Sequence, residues 1–77
     1  MKNRHRRPPP TFERGDRVRI MTEHWRSRGQ RGTVKKVFWA VGAWRYRVRL
    51  DGREHRTDYN RTSLRFLSAV ELLGELV

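Results

Sequence analysis

The stretch Trp44-Arg45-Tyr46-Arg47-Val48-Arg49-Leu50 alternates ring or aliphatic side chains with arginine and runs straight into Asp51-Gly52. Side chains of an extended strand point to opposite faces with a period of two, so this segment has one apolar and one arginine face. A helix would mix the two sets around its circumference. The segment is therefore a strand buried on one side only, and the rest of the chain must supply its neighbours. Asp51-Gly52 reads as a type I′ hairpin turn, with positive φ at both central residues.

Candidate neighbours lie on both sides. Gly15-Asp16 is a turn pair leading into Arg17-Val18-Arg19-Ile20-Met21, where Val18 and Ile20 alternate with arginine. Residues 22–30 are polar and read as a loop. Gly29-Gln30-Arg31-Gly32 then opens a β-branched and aromatic strand, Thr33 to Trp39. Ala40 to Ala43, with Gly42, make a short hairpin connection. After Asp51-Gly52 comes a polar return strand, Arg53 to Tyr59, a tight turn from Asn60 to Ser63, and a last short strand, Leu64 to Leu67. Trp44, Tyr59 and Phe66 are assigned to the core.

Beyond these strands the pattern changes. Ser68 followed three residues later by Glu71 is a capping box, so a helix starts near Ala69. Val70, Leu73 and Val77 share one side, widened by Leu72 and Leu76, and Glu71 and Glu75 share the other. A helix this short does not stand alone in water. It is expected to dock through its apolar side, on the β-structure or on a second copy, and to keep its glutamates away from any binding face. At the other end, residues 1–10 hold Pro8-Pro9-Pro10 behind a basic run, which reads as an extended, disordered arm.

Five short strands within residues 11–67 point to an all-β domain. One antiparallel sheet curled on itself, a small five-stranded SH3-like barrel, hides edges and apolar face most economically.

Charge decides which partners such a domain can have. The chain has 77 residues, 19 Lys+Arg against 8 Asp+Glu, and a net charge of +11. Residues 1–10 contribute +4, residues 11–67 contribute +9 and residues 68–77 contribute −2, so the folded body is the main source of positive field. Cysteine is absent, which removes a thiolate nucleophile and Cys-type zinc sites. His5, His24 and His55 are not at metal-ligand spacing, and no nucleophile–base pair or phosphate-cradling glycine loop stands out. No enzymatic activity, metal or cofactor is expected. A charged start without an apolar stretch behind it is no secretory leader, and the expected location is cytoplasmic, without a membrane.

What the chain offers is a basic surface interleaved with rings. Arg45, Arg47 and Arg49 form a row with steps of about 7 Å, twice the rise of a strand. Arg17 and Arg19 point out from the first strand, Lys35 or Lys36 from the second, and Arg31 leads into it. Trp25 sits in the loop His24-Trp25-Arg26-Ser27-Arg28, where an exposed ring flanked by Arg26 and Arg28 suits base stacking with phosphate contact. Arg4, Arg6 and Arg7 in the arm extend the same surface. Nucleic acid, RNA before DNA, is the expected partner, and an acidic protein is the alternative. The chain is expected to be a monomer or a small oligomer held by its C-terminal helix.

Gly15-Asp16-Arg17-Val18-Arg19-Ile20 followed by Arg28-Gly29-Gln30-Arg31-Gly32-Thr33-Val34 resembles a KOW motif, found in large-subunit ribosomal proteins and NusG-type transcription factors. The resemblance covers residues 13–67. It implies the small barrel, a ribosome- or transcription-associated role, and at Gly32 the family's glycine, needed for positive φ or close backbone approach. Gly-Asp-Arg-Val-Arg also resembles plasmid-encoded type II dihydrofolate reductases. Their pore-lining Val-Gln-Ile-Tyr is matched here by Arg56-Thr57-Asp58-Tyr59, so the activity is not carried over. The outline is similar, too, to SH3-like accessory subunits of photosynthetic complexes, which implies docking of an acidic electron carrier as the alternative function.

Overall fold

The computed structural model describes residues 7–21 and 28–76. Its elements are β1 (Arg17–Ile20), β2 (Arg31–Ala40), β3 (Ala43–Leu50), β4 (Arg56–Asn60), β5 (Leu64–Phe66) and a helix α1 (Ala69–Glu75), with one 3-10 turn at Arg61–Ser63. All strand pairs are antiparallel, in the order β4-β3-β2-β1-β5. No ladder joins β4 to β5 among the described residues, so the sheet is open and has two edges. No helix there is long and apolar enough to cross a membrane.

The alternation works as the sequence requires. Val18, Ile20, Val34, Tyr46 and Val48 are fully buried, and Phe12, Leu50, Leu64 and Leu67 complete the core. Phe12 comes from the segment before β1. Its ring meets Tyr46 edge-on with centroids 5.1 Å apart and lies 4.7 Å from Phe66. Trp44 and Tyr59 pack half-buried against this cluster. Phe66 is expected inside but is 50% exposed, because β5 is an edge strand with a neighbouring strand on one side only.

Two turns exchange the roles expected of them. Val41 (φ 53°) and Gly42 (φ 72°) join β2 to β3 as the two-residue hairpin with both φ positive. Asp51-Gly52 has positive φ only at Gly52, and residues 51–55 separate β3 from β4. The physical reason is local pairing. The Asp51 amide donates to the Arg31 carbonyl at 3.0 Å, continuing the β2–β3 ladder, and its carboxylate is held by Arg17. The return strand consequently starts at Arg56 and not at Arg53.

Gly32 is required by close approach. A Cβ there would stand 2.7 Å from Val48 Cγ1 and 2.8 Å from the Arg49 carbonyl oxygen, and its φ is not positive. A bulge between Val34 and Lys36 shifts the β2–β3 register, turning Lys36 towards the outer face opposite Arg47.

The capping box opens α1 as read from the sequence: Ser68 Oγ accepts from the Glu71 amide at 3.2 Å, and Glu71 Oε1 accepts from the Ser68 amide at 2.9 Å. The helix is turned the other way from the expected docking, however. Val70, Leu73 and Leu76 are 79%, 63% and 83% exposed, and no residue of α1 is buried. The glutamates face the sheet, because they find arginines there. Of the arm, residues 1–6 lie outside the described residues. Arg7 stands 5.3 Å over the Trp39 ring, and the Pro8 carbonyl accepts from Trp44 Nε1 at 2.6 Å.

Candidate nucleic-acid interface

Residues directly opposite one another in a sheet share a face, so the strand register lays out the surface opposite the core. Arg17, Thr33, Arg49 and Arg56 make one row across β1, β2, β3 and β4. Arg65, Arg19 and Arg31 make another across β5, β1 and β2. Lys36, Arg47 and Asp58 form a third, and Phe38, Arg45 and Asn60 a fourth. Neighbouring strands are about 4.8 Å apart, and like charges directly opposite destabilise a sheet. Arg65–Arg19, Arg19–Arg31, Lys36–Arg47 and Arg49–Arg56 are four such pairs. The sequence expectation that Arg17, Arg19, Arg45, Arg47 and Arg49 lie together on one face is met by this register, and Arg31 and Lys36 join them.

The face is partly neutralised from within. Arg17 is the hub: Nη1 and Nη2 donate to Asp51 Oδ1 and Oδ2 at 2.8 and 2.6 Å, Nε donates to Glu75 Oε1 at 2.9 Å, and Nη1 reaches Thr33 Oγ1 at 2.9 Å. Arg17 Nη2 also donates to Glu75 Oε2. Arg19 donates to the Gly29 carbonyl at 2.7 Å through Nη1 and to Glu71 Oε2 through Nη2. Its Nε is buried and has no partner among the described residues. Arg31 lies 3.5 Å from Glu75 and 3.9 Å from Glu71, and Arg65 lies 3.9 Å from Glu71. Arg47 clamps Asp58 with bonds of 2.8 and 3.2 Å and stands 5.3 Å over the Phe38 ring, with Lys36 Nζ 5.6 Å from the same ring.

These contacts move the acids' titration. The Arg19 hydrogen bond, helped by the Ser68 amide, lowers Glu71 to about 2. Hydrogen bonds from Arg17 hold Asp51 and Glu75 below the ordinary carboxylate range, and Arg47 does the same for Asp58. All four are charged at neutral pH.

Arg49 and Arg56 have no ion pair among the described residues, and they stand side by side on β3 and β4. Arg56 and Arg65 belong to the face but were missed in the sequence, since β4 is polar and β5 has only three residues. Both stand an odd number of residues from a core position, Arg56 three from Tyr59 and Arg65 one from Leu64, which puts them on the side opposite the core. Lys35 is the extra residue of the bulge. It lines a shallow hollow with Pro10, Phe12, Glu13 and Lys36 and is not a member of the rows. Arg28 is exposed just before β2. Trp39 is half-buried, edge-on to Trp44 at 5.3 Å and covered by Arg7, so its ring is not an open stacking platform. Trp25 and Arg26, like Arg4 and Arg6, lie outside the described residues.

Among the described residues no group of three His, Asp or Glu side chains is arranged to hold a metal ion. Comparison with protein-family models, with curated proteins and with solved structures gave no match.

Proposed function

We propose that this chain is a nucleic-acid-binding module that holds the phosphates of a strand on the arginine face of its sheet. The observation that carries this reading is the set of like-charged pairs directly opposite one another, with neither Arg49 nor Arg56 in an ion pair among the described residues. A sheet that only needed solubility would interleave the signs, because like charges in opposed positions cost stability. Arginine forks suit phosphate oxygens. A broad sheet face does not enter a groove as a helix or two-stranded ribbon does, so binding depends on the backbone more than on base identity. RNA before DNA, curling of the five strands into an SH3-like barrel, and a ribosome- or transcription-associated role follow from the KOW resemblance.

The test is affinity for single-stranded RNA, duplex RNA and duplex DNA across a salt series. With about six phosphate contacts, log affinity falls with log salt at a slope of about −4 for single strands and −5 for duplex. Absence of binding to all three at low ionic strength refutes the reading.

One observation favours a second reading. The same face already takes carboxylates, at Asp51, Glu71 and Glu75, as it would those of an acidic protein. Capture experiments separate the two: a partner retained after nuclease treatment is protein, and a partner lost is nucleic acid.

A further inference from the structure

The seven-residue helix α1 presents its charged side to the protein and its apolar side to water. Apolar burial therefore does not hold it in place. What holds it is a match of spacings between the two elements. Glu71 and Glu75 are four residues apart on a helix, about 6 Å along its axis. Arg17 and Arg19 are two residues apart on a strand, about 7 Å. Glu75 meets Arg17 and Glu71 meets Arg19, with Arg31 beside both carboxylates.

The occupied arginines are central to the face. Arg17 heads the row that runs through Thr33 to Arg49 and Arg56, and Arg19 lies between Arg31 and Arg65. A strand laid across the sheet would have to displace the helix to reach β1. The fit of the helix is also incomplete. Arg19 Nε stays buried without a partner among the described residues, and a buried donor left unpaired is destabilising. A phosphate offers more acceptor oxygens than a carboxylate and can take up donors the helix leaves unused.

We propose that α1 is a built-in competitor for the arginine face: Glu71 and Glu75 stand on Arg17, Arg19 and Arg31 where two phosphates of a bound strand would lie, and a polyanion gains the whole face by lifting the helix. The inference rests on the nucleic-acid reading above and adds its regulation. In the covered state Arg49 and Arg56 give a first foothold, and the β1 side becomes available as α1 is released. The release also frees the side of α1 that carries Glu71 and Glu75 from its ion pairs.

The experiment compares the full-length chain with E75Q and with E71Q/E75Q for binding to a single-stranded RNA of about twelve nucleotides. Glutamine at the third helical position keeps the capping box, so the variants retain the helix start. Each change also adds one positive charge to the net balance. E13Q, at an exposed acid in the segment before β1, and a second control, E13Q/E54Q, make the same change away from α1. Removing these partly exposed ion-pair partners predicts affinity gains of about threefold for E75Q and about tenfold for the double variant, beyond their charge-matched controls. In wild-type protein, RNA is expected to shift the Arg17 Nε–H resonance away from its Glu75-bonded position. Gains no larger than the controls', with RNA bound by all proteins, overturn the competitor and leave the nucleic-acid reading standing. No RNA binding by any variant, the uncovered one included, overturns both.

Discussion

Arg17 and Asp51 form a parallel, two-bond clamp, Nη1 to Oδ1 at 2.8 Å and Nη2 to Oδ2 at 2.6 Å, that ties the first strand to the turn after the third. They are 34 residues apart, and β2 lies between their strands. The pair is partly exposed, with side chains at 23% and 54% accessibility, so solvent screens it. A double-mutant cycle of Arg17→Ala and Asp51→Ala is expected to give a coupling of about 0.5–1 kcal/mol in urea unfolding. Additive effects of the two changes would show that the clamp contributes nothing.

The acids around this clamp set the response to low pH. Glu71 is lowered from 4.5 to about 2, and Asp51, Glu75 and Asp58 are lowered as well. A carboxylate with a depressed folded-state pKa contributes stability that is complete above its unfolded value. That contribution is lost as pH falls through the folded value. The urea midpoint is therefore expected to be level from pH 7 to about 5 and to drop between the ordinary carboxylate range and pH 2. E71Q should flatten the lower part of that drop. A midpoint unchanged between pH 5 and 2 would contradict the ion pairs.

Backbone crowding at Gly32 gives a sharper prediction. A methyl group there meets the Arg49 carbonyl at 2.8 Å, and backbone in the middle of a sheet has little room to move. Gly32→Ala is expected to cost about 1–3 kcal/mol by overpacking. Chemical denaturation reads this directly, and a variant as stable as wild type would show that β3 yields more easily than the packing implies.

Val41 carries the opposite sign. It holds φ at 53° in the β2–β3 turn, where a β-branched residue is strained, and it is 91% exposed, so its side chain gains nothing in return. Val41→Asn is expected to raise stability by about 1 kcal/mol, since asparagine tolerates the left-handed region. Thermal unfolding checks it, and a lower midpoint would refute the turn geometry.

Strand identities and the outward arginines were legible because a period of two over Trp44 to Leu50 allows one solution, and Val18 and Ile20 repeat it. Ser68 and Glu71 marked the helix start through chemistry contained within four residues. The direction of α1 was not legible. Its apolar pattern says which residues would prefer burial, whereas the outcome is set by Arg17 and Arg19, more than 50 residues away. The Asp51-Gly52 turn was misread for a related reason: the Asp51 carboxylate answers to a distant arginine as well as to its local turn. Phe12 escaped notice because it enters the core from a segment with no alternation around it.

The β3–β4 part of the face stands outside the ion pairs made by α1. Arg49 and Arg56 are opposed across β3 and β4 and form no ion pair among the described residues, so their removal relieves repulsion while deleting two candidate phosphate contacts. Arg49→Ala with Arg56→Ala should leave stability unchanged or slightly higher. It should also weaken RNA binding and make the salt slope shallower by about 0.7 for each lost single-strand contact. Arg14→Ala with Arg53→Ala removes the same charge from exposed positions outside the strands and controls for net charge. If both pairs weaken binding equally and leave equal salt slopes, the arginine rows attract polyanions only through total charge, and the face is not the binding site. If only the first pair flattens the slope, the phosphates are held on the sheet between β3 and β4.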